Sequence, residues 1–293
     1  MMPRAARVLP LAVACLAAAM TRPTPQTLAA QGVVRQVDHL VAVVPAPAPL
    51  LALLVDTLRL PRAWPIARWG DFVSGGVSLG SVNLELLAGR PGPEGRLAHV
   101  VFEPEPLADA LAELDRRGLA HGDREPFGDV TGAASATAWT TVELLAQSAP
   151  GHLAVLCEYV RPRVADRRRR LTDTLRARDG GPLGIVEAAW IVVGTGGDAR
   201  FASAWERLLA PADREAGEAW VLAAGPAIRL DAASPKGLRR LVLGVRSLAR
   251  ARAALARAGL LGVSTHAGEL RIAPRRVQGL DIRLVEAAAR AGA

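Results

Sequence analysis

Apolar runs separated by turn-forming residues recur along the chain in a fixed order, with a strand, then a helix, then three more strands. Val37 to Val44 reads as a strand, and Pro47 to Leu60 carries leucines at helical spacing. Strand-like pieces follow around Trp64 to Trp69, Phe72 to Leu79 and Val82 to Leu87. The order then restarts. Leu97 to Phe102 reads as a strand, Pro106 to Leu119 as an amphipathic helix, and further strands fall near Ala138 to Leu145 and Leu153 to Val160. Two more units follow, opened by Ile185 to Val193 with a helix over Ala199 to Ala210, and by Leu238 to Val245. The helix of the fourth unit, S-L-A-R-A-R-A-A-L-A-R-A-G-L, lines up with P-L-A-D-A-L-A-E-L-D-R-R-G-L of the second, so that Leu248 faces Leu107 at an offset of 141. The pattern predicts an α+β protein of four βαβββ modules in two pairs.

A few metal-capable side chains interrupt these apolar strands. His39 and His99 lie on the opening strands of the first two units, and Glu85 and Glu158 lie on their closing strands. A lone strand histidine is more often structural than a ligand. The recurrence of one residue type at equivalent positions, in a chain with only five histidines, is what singles these out. Between the strands of Glu85 and His99, the turn formers Gly89, Pro91, Gly92, Pro93 and Gly95 leave no room for a regular element.

The segments V-D-H-L-V-A-V-V, S-G-G-V-S-L-G-S-V-N-L-E-L-L, R-L-A-H-V-V-F-E-P and V-L-C-E-Y-V resemble strand motifs of the vicinal oxygen chelate superfamily, which includes glyoxalase I, extradiol dioxygenases and bleomycin-resistance proteins. The resemblance is good over Val37 to Val160 and fainter over Ile185 to Glu286. It implies two vicinal-oxygen-chelate-type lobes, 37–160 and 185–286, each a pair of modules curved into a cup, joined by an arginine-rich linker at 161–184. Carried over by position, the implied metal ligands are His39, Glu85, His99 and Glu158. The resemblance also makes Glu158 the expected catalytic base and Glu85 a ligand beside it.

Two imidazoles and two carboxylates suit zinc, nickel, cobalt, manganese or iron, and ligand type alone does not choose among them. On an octahedral ion four protein ligands leave two positions, which a substrate with adjacent oxygens could take while the ion acts as a Lewis acid. Three functions follow. One is a divalent-metal-dependent lyase or isomerase of glyoxalase type. The second is a non-haem iron extradiol dioxygenase using His39, His99 and Glu158. The third is a metal-free protein that sequesters a small ligand. Trp64, Arg68, Trp69 and Trp139 are candidates for lining the substrate pocket, with the Ser74-Gly75-Gly76 turn and Thr140 and Thr141 near them.

The second pair departs from this pattern. With the 141 offset Arg240 replaces His99, while Ala188 stands where His39 would be, Arg283 or a neighbour stands in place of Glu158, and the fourth position falls near Leu230, or at Asp231 if the register slips. That lobe reads as degenerate, metal-free, and a packing partner covering the first cup.

The net charge of +8 changes little in this reading. Arg4, Arg7 and Arg22 fall in the leader without an acid, and residues 161 to 179 hold eight arginines against three aspartates, which leaves the rest neutral. No aromatic residues interleave with that basic run, so the sequence does not read as a nucleic-acid binder. Arg4 and Arg7, the apolar run Val8 to Met20 and the small residues up to Ala30 fit a signal peptide over 1–30. This predicts a periplasmic or secreted protein with no membrane span in its mature form, or a cytoplasmic one if translation starts at Met20. Cys15 sits in an incomplete lipoprotein box, and its removal with the leader would leave Cys157 alone.

Overall fold

The structure is a computed structural model that describes residues 32–69, 72–89, 94–128, 137–159, 163–215, 219–264 and 266–287. The signal-peptide reading, with Cys15 and Met20, concerns residues outside these. Among the described residues no helix is long and apolar enough to cross a membrane.

The repeat is present as two curved sheets. In the first lobe β1 (Val34–Val44) is followed by α1 (Pro47–Ala52), which runs on as a π-helical turn over Leu53–Thr57. Next come β2 (Arg62–Trp69), β3 (Phe72–Ser78) and β4 (Asn83–Ala88). The second module supplies β5 (Arg96–Pro104), α2 (Leu107–Arg116), β6 (Glu125–Gly128), β7 (Thr137–Glu143) and β8 (Leu153–Tyr159). These eight strands order as β2-β3-β4-β1-β5-β8-β7-β6, so the antiparallel pair β1/β5 lies at the centre and each half mirrors the other.

Residues Arg163–Ala177 form a helix, α3, where the sequence reads as a linker. The reason lies in its spacing: Arg168, Leu171, Thr172 and Leu175 recur at i, i+3, i+4 and i+7 and are covered, whereas Arg169, Arg170, Asp173 and Arg176 are exposed. Arg168 reaches Asp38 and Glu103, and the Thr172 hydroxyl donates to the Gly80 carbonyl (2.8 Å).

The second lobe contains β9 (Ile185–Gly194), α4 (Ala199–Leu209), β10 (Asp213–Glu215), β11 (Ala219–Val221), β12 (Ala227–Asp231), β13 (Gly237–Val245), α5 (Leu248–Arg257), β14 (Glu269–Arg271) and β15 (Ile282–Glu286). Its sheet order is β10-β11-β12-β9-β13-β15-β14, the same plan with one outer strand fewer among the described residues.

Strand alternation divides the first sheet into two faces. Leu40, Leu84, Phe102 and Leu156 point to one side and are buried in an apolar core that continues into the second lobe through Phe201, Trp205, Leu208 and Leu243. Trp205 lies 6.2 Å from Phe102 across the lobe boundary and 6.5 Å from Phe201 within its own helix. The side-chain amide of Gln147 donates to the Ala204 carbonyl (2.8 Å), and Arg117 binds the Ala210 carbonyl (2.7 Å). The second lobe therefore packs behind the first sheet. It does not cover the cup, contrary to the expectation from sequence, because the large apolar residues that bind it alternate with those facing the cup.

His152 sits at this boundary. It is 7% exposed, its Nδ1 has no hydrogen-bond partner, and a Cβ placed on Gly237 would stand 2.2 Å from its ring. Burial, with the positive charges of Arg239 and Arg96, pushes its pKa down to about 4. The unfolded chain then takes up a proton near pH 6.5 before the folded chain does, so the stability tied to neutral His152 is present above that pH and is lost as pH falls towards 4. Denaturant midpoints measured between pH 7 and 4 should fall less steeply for His152→Gln than for the parent protein. Parallel slopes would show that His152 does not carry the acid sensitivity.

Candidate metal centre

Register decides which strand residues share the cup. In the β1/β5 ladder His39 pairs with Val101 and Val41 with His99, so both histidines face the same side, related by the pseudo-twofold between the modules. On β4, Val41 pairs with Glu85, placing that carboxylate on the same face. The twofold equivalent on β8 is the partner of Val101, which is Val155. Glu158 lies three residues further on, an odd step that sends it to the opposite face.

The structure accordingly does not bring Glu158 to the cup. Its Oε1 accepts the backbone N–H of Leu107 (2.8 Å), the first residue of α2, whose preceding residue Pro106 provides no side-chain cap. A carboxylate there satisfies an orphan donor and meets the positive end of the helix. Replacing Glu158 with Gln should cost about 1 kcal/mol of stability in a denaturation curve and leave ligand and metal binding intact.

A β-bulge completes the site. Between the Val37/Phe102 and His39/Val101 pairs β1 carries one extra residue, Asp38, which brings two consecutive side chains to the cup. Asp38 is buried and accepts from His39 Nδ1 (2.7 Å), from the Tyr159 hydroxyl (2.7 Å) and from Arg168. On the other edge of the His39 ring, Nε2 stands 3.4 Å from Glu85 Oε2.

Burial alone would lower the His39 pKa, but the hydrogen bond to Asp38 and the nearby negative charges of Asp38 and Glu85 override it and hold the imidazole up at about 10. Burial would raise Asp38, but its hydrogen bond to His39, the charges of His39 and Arg168 and the Tyr159 hydrogen bond together outweigh this and bring it down to about 2. His99 is different. Burial and the nearby Arg96 push it down to about 4, and its Nδ1 accepts the Leu153 N–H (3.1 Å).

The donor types fit a divalent ion. The separation of His39 Nε2 and Glu85 Oε2 exceeds a good N–H···O hydrogen bond and falls at the upper end of the ~3.0–3.4 Å between neighbouring donors held ~2.1 Å from an octahedral or tetrahedral ion. A carboxylate on the far nitrogen, here Asp38, is the outer-shell partner that orients a ligating histidine. Among the described residues, no three His, Cys, Asp or Glu side chains are gathered, as they stand, into a group that could hold an ion. His39 and Glu85 are brought together, while the His99 ring is turned to β8.

A cavity of about 280 Å³ opens beside this pair, lined by Trp64, Trp69, Trp139, Tyr159 and Arg167 along with Asp38, His39, Glu85 and Arg168, while His99 is not in its lining. Trp139 stacks on Phe127 (5.6 Å) and meets Trp69 edge-on (6.4 Å). Three of the four residues expected to shape the pocket are therefore in it. Arg68 is not, because it neighbours Trp69 on β2 and alternation turns it outward to solvent. The cationic role passes to Arg167 and Arg168 of α3; Arg167 lies 5.9 Å over the Trp64 ring. Asp38, Tyr159, Arg167 and Arg168 were missed from sequence. The i, i+3, i+4, i+7 spacing of the arginine run was the available signal for α3.

In the second lobe the same register places Trp190 where His39 stands, and not Ala188, which pairs with Leu243 as Val37 pairs with Phe102. Arg229 occupies the place of Glu85, since it pairs with Val192 as Glu85 pairs with Val41. Leu230 and Asp231 do not. Arg240 and Arg283 stand at the positions of His99 and Val155.

No protein-family model matches the chain, and no curated protein matches it either. Solved structures do. Homoprotocatechuate 2,3-dioxygenase from Arthrobacter globiformis aligns with a TM-score of 0.56 at 16% identity, over 89% of this chain and 82% of that one. The Brevibacterium fuscum enzyme in an anaerobic complex with 3,4-dihydroxyphenylacetate aligns with a TM-score of 0.55 at 15% identity, over 88% and 82%. The chain thus has the vicinal-oxygen-chelate fold in its paired, two-lobed form.

Proposed function

We propose that the first cup binds a divalent metal ion through His39 and Glu85, with His99 as the remaining imidazole on that face, and accepts a small aromatic compound bearing adjacent oxygens and an anionic group. The observation that carries this reading is the Asp38–His39–Glu85 line, a histidine oriented by one carboxylate and set at ligand spacing from another. Two imidazoles and one carboxylate form a facial set with open positions. A bound ion would supply Lewis-acid polarisation of the ligand oxygens.

The remaining cup residues suit the same ligand. Trp64, Trp69 and Trp139 offer flat apolar walls, the volume admits a compound of about one ring, and Arg167 meets an acidic substituent. The fold neighbour's complex with 3,4-dihydroxyphenylacetate, which is aromatic, vicinally oxygenated and anionic, supports this ligand class. Of the reactions expected from sequence, the lyase or isomerase loses the base assigned to it, since Glu158 faces α2. Dioxygenation keeps a two-histidine, one-carboxylate set, with Glu85 in the place given to Glu158.

A second reading, metal-free sequestration of the same compound, is favoured by one observation: the Arg168 guanidinium already neutralises Asp38 at the cup. Titration calorimetry with manganese, iron(II) and zinc on wild type and His99→Ala separates the two. Saturable binding lost in His99→Ala supports the metal reading. An ion-independent quench of tryptophan fluorescence by 3,4-dihydroxyphenylacetate, with no metal uptake, supports sequestration.

A further inference from the structure

The second cup has the first cup's geometry with its charge inverted. Position by position, Ala189 replaces Asp38, Trp190 replaces His39, Arg229 replaces Glu85, Arg240 replaces His99 and Arg283 replaces Val155. Arg271 on β14 lies opposite Arg283 and adds a fourth guanidinium. We propose that this face is a binding site for a small dianion, a phosphate monoester or a dicarboxylate.

The four arginines on this sheet face draw unequally on the acids around them. Asp281 accepts from Arg240 Nε (3.0 Å), Arg271 Nε (2.9 Å) and Arg283 Nε (3.1 Å), and Glu269 pairs with Arg283 (2.9 Å). Asp231, at the end of β12, lies close enough to feel Arg240, but its carboxylate is occupied by the Ala233 N–H (2.9 Å) and the Ser234 hydroxyl (2.5 Å). Glu187 of β9, opposite Gly244, is a fourth acid on this face, so what distinguishes the face is how its charges pair, with three guanidiniums sharing the one Asp281 carboxylate. Arg229 has no acidic partner among the described residues. Its guanidinium lies 4.1 Å over the Trp190 ring, and its Nε is buried without a hydrogen-bond partner.

Accessibility and chemistry agree with a ligand. The Arg240 and Arg271 side chains are 30% and 33% exposed, and Asp281 fixes both through Nε. Guanidinium groups held in place by one shared carboxylate are preorganised for bidentate capture of an oxyanion, and little side-chain entropy remains to be lost on binding. Deep burial of Arg283 places a further positive charge at the base of the face.

The test is titration calorimetry of the full chain with inorganic phosphate and, separately, with succinate, at constant ionic strength maintained by chloride. We expect saturable binding of one or both, the stronger anion identifying the source chemistry. Arg271→Gln and Arg240→Gln should each weaken it by about tenfold or more, as loss of a charge-assisted hydrogen bond requires. Arg252→Gln, an equal charge change on the exposed face of α5, should leave it unchanged, and circular dichroism melts should show all three variants folded. Absence of saturable binding by both anions would overturn the proposal. So would an equal loss in Arg252→Gln, which would reduce the effect to general charge screening.

Discussion

Trp205→Ala should be the most damaging single substitution in the chain, lowering stability by about 3–5 kcal/mol. The side chain is 2% exposed and touches Phe102 of the first lobe and Phe201 of its own helix. Its removal opens a cavity at the junction of two sheets that share one core, and interiors at packed density relax only partly around such a hole. Denaturant unfolding followed by far-ultraviolet circular dichroism checks this. A loss below about 1 kcal/mol would show that the lobes are held together by something other than this contact.

His39→Ala should weaken divalent-ion binding by about 100-fold or more, and Asp38→Asn by about 10–100-fold, because the first removes a ligand and the second only its orienting partner. The order matters as much as the size. If Asp38→Asn were the worse of the two in competitive titration against a chromophoric chelator, His39 would be a structural histidine held by Asp38 and not a ligand.

The fold was legible because its signal is repetitive. Strand and helix spacing recurs four times, and the helix offset of 141 matches the register that pairs Arg240 in the position of His99. Glu85 and His99 were legible for a related reason: each is a lone metal-capable residue in an apolar strand, and His39 was singled out by its equivalence to His99 on the opening strand of the other module. Glu158 failed because β8 is apolar on both sides of it. Ala154 and Leu156 are buried in the core, and Cys157 is buried beneath the cup, so period-two alternation carries no contrast, and only pairing with β5 sets the register. Asp38 failed because a bulge breaks the alternation that would have turned it inward.

The role of α3 was hidden by its charge. A run of arginines reads as a solvated segment, yet long guanidinium side chains can lie along a surface and deliver charge at their tips. Arg168 does this, spanning Asp38 and Glu103, and so converts a basic stretch into a wall of the cup. Trp64, Trp69 and Trp139 come together in the cavity wall because aromatic residues towards both edges of a curved sheet meet across its concave side.

Elemental analysis of the purified full-length protein after loading with divalent ions and exhaustive dialysis tests the central claim most directly, run beside Glu85→Gln and Glu158→Gln. The account predicts about one equivalent of metal per chain in the wild type and in Glu158→Gln, and none in Glu85→Gln. A wild-type protein that retains no metal, or a Glu85→Gln protein that retains a full equivalent, would contradict it.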